Sequence, residues 1–388
     1  MALDLSLYKT TLDILEDARL DTFSLIKKYG YPCEIHRVIT EDKYVLEMHR
    51  VPHGRNNLND KPKGVVFLQH GLLSSSAEWV LMSPGKGFAY LLADAGYDVW
   101  MGNARGNTYS RKHVTIKPTS SSFWKFSWHE IGYYDVPAMI DYVLKETGVQ
   151  KIQYIGFSQG TAVFWVMMST RPEYNEKVSA MQALAPVGYV GNIKSPLIKA
   201  IAPFTNSLEI ITKIIGPDEI LPNGIINELA GQKLCIEEAI TQVLCTNLLF
   251  LICGFNEEQL NTTMLPVVLG HTPAGAATRQ FIHFGQLYNS KKFVQFDFGM
   301  IGNKLRYGTF KPPPYNLSAI RTPVFFHYAD NDWLSTPTDV KKLSDEIPSS
   351  VGIYRVPHTK FNHLDFVFAN NATEYIYKRV LNIIAEFV

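Results

Sequence analysis

Residues 151–160 read Lys-Ile-Gln-Tyr-Ile-Gly-Phe-Ser-Gln-Gly, and Thr-Ala-Val-Phe-Trp-Val-Met-Met follows without a break. A mostly apolar run, Ile152 to Ile155, drives into G-x-S-x-G and then into a long apolar stretch. The expected order is strand, sharp turn, helix. A turn of this kind holds a serine, here Ser158, at its apex with the hydroxyl exposed. Gly156 and Gly160 suit it, because a side chain at either would collide where strand and helix cross closely. The helix start just after Ser158 would add positive dipole and free N–H groups where an oxyanion forms. The bland alternative is an ordinary strand–helix turn. A chain of this length shows the motif by chance on the order of 0.1 times. The nucleophile reading therefore requires a base, an orienting acid and a second oxyanion donor elsewhere in the chain.

The flanking pattern supplies strands for them. Val65–Leu68 is a short apolar run of the kind buried on both faces of a parallel sheet, and it ends in His70-Gly-Leu-Leu73. The loop after such a strand gives one backbone N–H to an oxyanion hole, which here would be that of Leu72. The N–H of Gln159 would be the other donor. Further strands are expected at Tyr97–Met101, Val178–Ala185, residues 323–328 and Val351–Val356. Helices are expected over Phe88–Gly96, Tyr133–Thr147, Thr336–Ile347 and about Ala372–Phe387. Cys33–Thr40 and Tyr44–Val51 read as a hairpin, and residues 11–28 read as one helix. Alternating strands and helices imply an α/β class with a mostly parallel sheet. The alternation stops between 187 and 309, where Gly/Pro breaks interrupt helical sequence. Three segments are expected: 1–186 and 310–388 as the two parts of one core, and 187–309 as an inserted helical cap. Asn227–Cys253 reads as a strong helix within it.

Ligand sites in such sheets lie at the carboxyl ends of the strands. Ser158, Asp332 and His363 follow three different strands in the chain order Ser, Asp, His that the elbow architecture requires. Ser158 would attack, His363 would take its proton, and Asp332 would hold the imidazole tautomer. Asp330 and His358 are rivals for the last two roles on position alone. His70 and His327 are expected to be structural.

Composition excludes other classes. Lys and Arg number 37 against 36 Asp and Glu, a net charge of +1 without a basic stripe, so nucleic acid is not an expected partner. No run reaches 18 apolar residues, so no transmembrane helix is indicated. The first residues lack a basic n-region and an apolar h-region; the expectation is a cytosolic protein, or one whose signal peptide has been removed or omitted. Four cysteines, Cys33, Cys235, Cys245 and Cys253, form neither a disulfide scaffold nor a zinc spacing, and the chemistry calls for no cofactor or metal. Sequons begin at Asn261, Asn316 and Asn371 and matter only in a secreted chain.

A wider resemblance rests on Tyr29-Gly-Tyr-Pro-Cys-Glu34, Leu68-Gln-His-Gly-Leu-Leu73, Asp94-Ala-Gly-Tyr-Asp-Val-Trp100, Gly102-Asn-Ala-Arg-Gly-Asn-Thr108 and Asn362-His-Leu-Asp-Phe366. Cys253-Gly-Phe255 and His271-Thr-Pro-Ala-Gly275 join them. Over about residues 26–388 the chain resembles the acid lipase family, which includes gastric and lysosomal acid lipases and insect relatives. The resemblance implies an α/β-hydrolase core with a helical cap. It implies Asp332 as the acid and His363 as the base, and a secreted or lysosomal location. It implies hydrolysis of apolar acyl esters, such as triacylglycerols or sterol esters, at a lipid–water interface. A non-catalytic lipid carrier and an acyltransferase are the competing functions. The family elbow commonly reads G-H-S-Q-G, and Phe157 stands here in place of that histidine. A cap disulfide is also implied, Cys235 to Cys245, leaving Cys33 and Cys253 free. The nine residues between the two cap cysteines read as helix, however, and ten helical residues span about 15 Å, too far for a bridge. Either the chain turns between the two cysteines and the bridge forms, or both remain thiols.

Overall fold

The computed structural model describes residues 11–57, 61–203, 218–220 and 252–387. The expected Asn227–Cys253 helix and the Cys235–Cys245 pair lie outside the described residues, the end of that helix at Cys253 excepted. Cys33 and Cys253 are free thiols.

Eleven strands are described: β1 Glu34–Ile39, β2 Tyr44–Val51, β3 Val65–Gln69, β4 Asp98–Met101, β5 Lys112–His113, β6 Ile152–Phe157, β7 Val178–Leu184, β8 Glu219–Ile220, β9 Ala276–Ala277, β10 Val324–Tyr328 and β11 Ser350–Arg355. The main sheet runs β1-β2-β4-β3-β6-β7-β10-β11, with β5 paired to β2. The β1–β2 hairpin is antiparallel and β2 pairs antiparallel with β4. From β4 to β11 every pairing is parallel. The short pair β8–β9 stands apart.

Alternation along the central strands sends neighbours to opposite faces. Phe67 and Tyr154 join one apolar cluster with Trp100, Phe164 and Trp165. Val66, Leu68 and Ile155 join the other, with Val99, Phe88 and Tyr377. Both clusters are buried, which is why these strands read as continuous apolar runs. Residues of the 187–309 region share the same cores: Leu287, Phe293 and Val294 in the first, Met264, Val267 and Val268 in the second. The described part of that region carries the helices Pro196–Ile201, Leu265–His271, Thr278–Ser290 and Gly299–Tyr307.

The expected single helix over 11–28 is two helices, Thr11–Asp17 and Thr22–Lys28. The chain breaks because Asp21 caps the second helix, its carboxylate accepting from Ser24 N at 2.7 Å. The buried Asp17 carboxylate also accepts from Lys28 and Tyr29, which ties the two helices together. The helix expected from Tyr133 begins earlier, at Trp128, and passes through a π turn at Ile131–Asp135 before Val136–Thr147.

Candidate active site

The elbow is built almost entirely from contiguous residues. Ser158 sits between β6 and the helix Gln159–Thr170 with φ +52° and ψ −119°. A non-glycine residue there carries strain on the order of 1–3 kcal/mol, which surrounding structure must hold. Ser158 N donates to Leu184 O on β7 at 3.0 Å, and the Thr161 hydroxyl donates to Ser158 O at 2.7 Å. A Cβ at Gly156 would come within 2.7 Å of Gly160 O, and one at Gly160 within 2.1 Å of Gln69 O. The expected glycine requirement is therefore met by backbone-to-backbone contact.

Ser158 Oγ lies 2.8 Å from His363 Nε2. His363 Nδ1 lies 2.8 Å from Asp332 Oδ2, so the ring donates there and accepts from the serine. Asp332 is fully buried, and its Oδ1 accepts from Leu334 N at 2.9 Å and Ser335 N at 2.7 Å. These bonds fix the carboxylate plane. The rivals point elsewhere. Asp330 pairs with Arg355 at the surface, and His358 Nε2 is 3.1 Å from Glu258.

His70 and His327 are both buried and hydrogen-bonded away from Ser158. His70 donates from Nδ1 to Gly71 O at 2.7 Å and accepts at Nε2 from Ala104 N at 3.1 Å. Burial drives its pKa down to about 4, so it stays neutral in that role. His327 is buried beside Gln182, and burial lowers its pKa to about 3.

Gly71 packs against the elbow: a Cβ there would lie 3.1 Å from the Phe157 ring and 3.3 Å from Ser158 Cβ. Leu72 thus begins a turn directly beside Ser158, closed by Ser74 N donating to Gly71 O and continued by Leu73 at φ +62°. Gln159 is buried, and its amide donates to Gln280 Oε1 at 2.8 Å. Phe157 lies 5.1 Å, ring to ring, from His363 and forms an apolar wall beside it.

Two parts of this site were not read from the chain. The first is Glu78, buried, whose Oε2 accepts from Gly71 N at 3.4 Å. Burial raises its pKa to about 8. The second is the span Cys253–Asn256, wedged between the loops that carry Asp332 and His363. Cys253 O accepts from both Trp333 N and His363 N at 3.4 Å. Gly254 O accepts from the Asn362 amide at 2.9 Å, and Phe255 O from the Asn331 amide at 2.8 Å. Asn256 donates to Asp365 Oδ2, which also accepts from Asn362 N at 2.7 Å. Gly254 is required at φ +111°, where a Cβ would meet Asn331 O at 2.3 Å. The sequence signal was the Cys-Gly-Phe match, whose function is not visible without the fold.

A model of the partial alpha/beta-hydrolase lipase region matches residues 22–83, and one of the alpha/beta hydrolase fold matches residues 64–366. Lipase 3 of Drosophila melanogaster is 47% identical over 356 residues, 92% of this chain and 90% of the relative. The gastric triacylglycerol lipase of Homo sapiens is 38% identical, covering 95% and 92%. The chain belongs to the acid lipase family. It is an α/β-hydrolase and, with that family, a carboxylic-ester hydrolase. Among solved structures, a candidate lipase of Sulfolobus solfataricus superposes with a TM-score of 0.60 at 15% identity, covering 91% of this chain and 94% of that one. At that identity the likeness speaks for the fold alone. Among the described residues, no helix is long and apolar enough to cross a membrane.

Proposed function

We propose that this acid lipase relative cleaves esters of apolar acyl lipids, triacylglycerols or sterol esters, by a serine acyl-enzyme route. The observation that carries the reading is the unbroken hydrogen-bond chain from Ser158 through His363 to Asp332. Ser158 Oγ attacks the acyl carbonyl while its proton passes to His363 Nε2. Asp332 holds the Nδ1–H tautomer and stabilises the imidazolium. The N–H groups of Leu72 and Gln159 receive the oxyanion, each worth about 3 kcal/mol of barrier. The alcohol leaves with the proton from His363. Water then attacks the acyl-enzyme with His363 as base, releasing the carboxylic acid.

Further support comes from relatives whose names state triacylglycerol as substrate, matched along more than nine-tenths of both chains. Residues 187–309 would be the cap over the acyl site, and the two flanking segments the core. A secretory or lysosomal setting belongs to the same reading. Asn316 and Asn371 are exposed and suited to glycans, whereas Asn261 is half-buried and its Oδ1 accepts from Met264 N at 3.3 Å.

The test is a rate survey of emulsified long-chain triacylglycerol, sterol ester and soluble short-chain ester, run with wild type and Ser158→Ala. Hydrolysis of the long-chain esters that disappears in the alanine variant, with a serine-directed phosphonate labelling Ser158, is expected. Turnover that survives Ser158→Ala overturns the proposal.

A further inference from the structure

The helix Gly299–Tyr307 inverts the usual logic of a surface helix. An amphipathic helix turns its apolar residues inward and its polar ones to water. Here Asn303 is the buried residue, 1% exposed, while Met300, Ile301 and Leu305 are 68%, 77% and 83% exposed. Phe310, just past the helix end, is 57% exposed. At 100° per residue, Ile301 and Leu305 lie within about 40° of each other on the face opposite Asn303.

The shape of this segment does not depend on those apolar side chains. Asn303 Oδ1 accepts from Phe298 N at 2.9 Å, and its amide donates to Asp297 Oδ1 at 2.7 Å and Phe310 O at 3.1 Å. A buried amide thus ties the segment before the helix to the segment after it. Gly308, at φ +74°, ends the helix. Four large apolar side chains within 11 residues are left in water, where they cost free energy unless something covers them.

Charge narrows the choice of cover. Lys304, Arg306 and Lys311 border the patch, and no acidic residue occurs between Gly299 and Lys311. None of the three cations has an ion-pair partner among the described residues; Lys304 and Arg306 lie over the Phe310 and Phe298 rings instead. A second copy docked face to face would set these cations against one another. An anionic apolar surface would satisfy both features. The helix also lies at the end of the sheet where Ser158 emerges. It shares a cavity of about 360 Å3 with Arg105, which follows β4, and with Asp42 and Tyr44 at the start of antiparallel β2.

We propose that Met300, Ile301, Leu305 and Phe310, with Lys304, Arg306 and Lys311 around them, form an anchor that seats the protein on an anionic lipid–water interface. The inference rests on the lipid-ester reading, which also accounts for the charge: ester cleavage releases carboxylates that collect at the surface and make it anionic. Apolar side chains enter the acyl boundary while the cations meet head groups or released carboxylates.

The test is co-sedimentation of the full-length chain with vesicles of phosphatidylcholine alone, or of phosphatidylcholine with phosphatidylglycerol. Wild type should bind the anionic vesicles more tightly. The Ile301→Gln/Leu305→Gln variant should lose about tenfold or more in partition. Lys304→Gln/Lys311→Gln should lose about fivefold per charge, on anionic vesicles only. Thermal midpoints and turnover of a soluble short-chain ester should match wild type in both. Unchanged partition in both variants overturns the anchor. So does a wild-type dimer in sedimentation velocity that Ile301→Gln/Leu305→Gln dissociates, since the patch would then be a protein interface. A chain that partitions through the patch but cleaves no lipid ester overturns only the lipid-ester reading. One that cleaves such esters while ignoring the patch overturns only the anchor.

Discussion

The turn that carries Ser158 and the two loops that carry Asp332 and His363 are assembled in opposite ways. The turn is local. Gly156, Gly160 and Thr161 shape it from within six residues, and the neighbouring strands only need to lie close. The two loops are not self-sufficient. Both hang on Cys253–Asn256, a span roughly 80 to 110 residues earlier in the chain, which supplies backbone carbonyls to each. Ser158 is thus placed by backbone sterics, whereas Asp332 and His363 are placed by hydrogen bonds from outside the strand–loop–helix units they belong to. A local device tolerates change elsewhere in the fold. The hydrogen bond between His363 and Asp332 sits between loops that Cys253–Asn256 holds in place.

The largest expected effect tests which groups form the relay. Asp332→Asn and His363→Ala should each lower kcat by about 10⁴ on a soluble ester. Asp330→Asn and His358→Ala should stay within about threefold, since both face surface partners. A reversal of the two pairs in steady-state kinetics would remove the basis for the comparison.

Gly160→Ala attacks the local device directly. Its Cβ would stand 2.1 Å from the Gln69 carbonyl oxygen, and backbone cannot yield as a side chain can. A loss of about 3 kcal/mol or more in urea unfolding is expected, with activity lost alongside. A folded, active alanine variant would show that strand and helix separate more easily than their contact implies.

Asn256→Ala attacks the remote device. Removing its amide leaves the Asp365 carboxylate with one donor fewer and frees the loop before His363. A fall in kcat of about 10- to 100-fold is expected, with KM for a soluble ester unchanged and little loss of stability. Equal activity would show that the carbonyls of Cys253 and Gly254 suffice to hold both loops.

The smallest expected effect concerns pH. Burial raises the Glu78 pKa to about 8 and the Asp365 pKa to about 7, both above their ordinary values. The folded chain therefore holds protons that the unfolded chain gives up above about pH 4.5. Stability from these groups is full at acid pH and falls as pH rises towards 7 and 8. Glu78→Gln should raise the thermal midpoint at pH 8 relative to wild type, by no more than a few kcal/mol of stability, and change it little at pH 4.5. An equal shift at both pH values in calorimetry would show that Glu78 is not the titrating group.

Much of this was legible in the chain because its cause is local. A run buried on both faces must be apolar at consecutive positions, so β3, β6 and β10 announce themselves. Gly156, Ser158 and Gly160 do the same for the turn, since only small residues survive a crossing that tight. Asp330 and Asp332 were harder to separate. Two residues apart in a loop, they differ only in direction, and Arg355 and the N–H groups of Leu334 and Ser335 decide that direction. The expected helix over 11–28 failed for a similar reason: its break is set by where Asp17 and Asp21 find partners.

By itself, then, the sequence determined the α/β class, the strand order along the chain and the strained turn at Ser158, because periodicity and sterics act between near neighbours. Tertiary structure alone decided that Cys253–Asn256 braces both partner loops, that Glu78 sits buried under the turn that begins at Gly71, and that Ile301 and Leu305 face outward while Asn303 faces in. Those outcomes depend on which distant backbone groups reach each residue, and hydrogen bonds across a hundred residues leave no period to read.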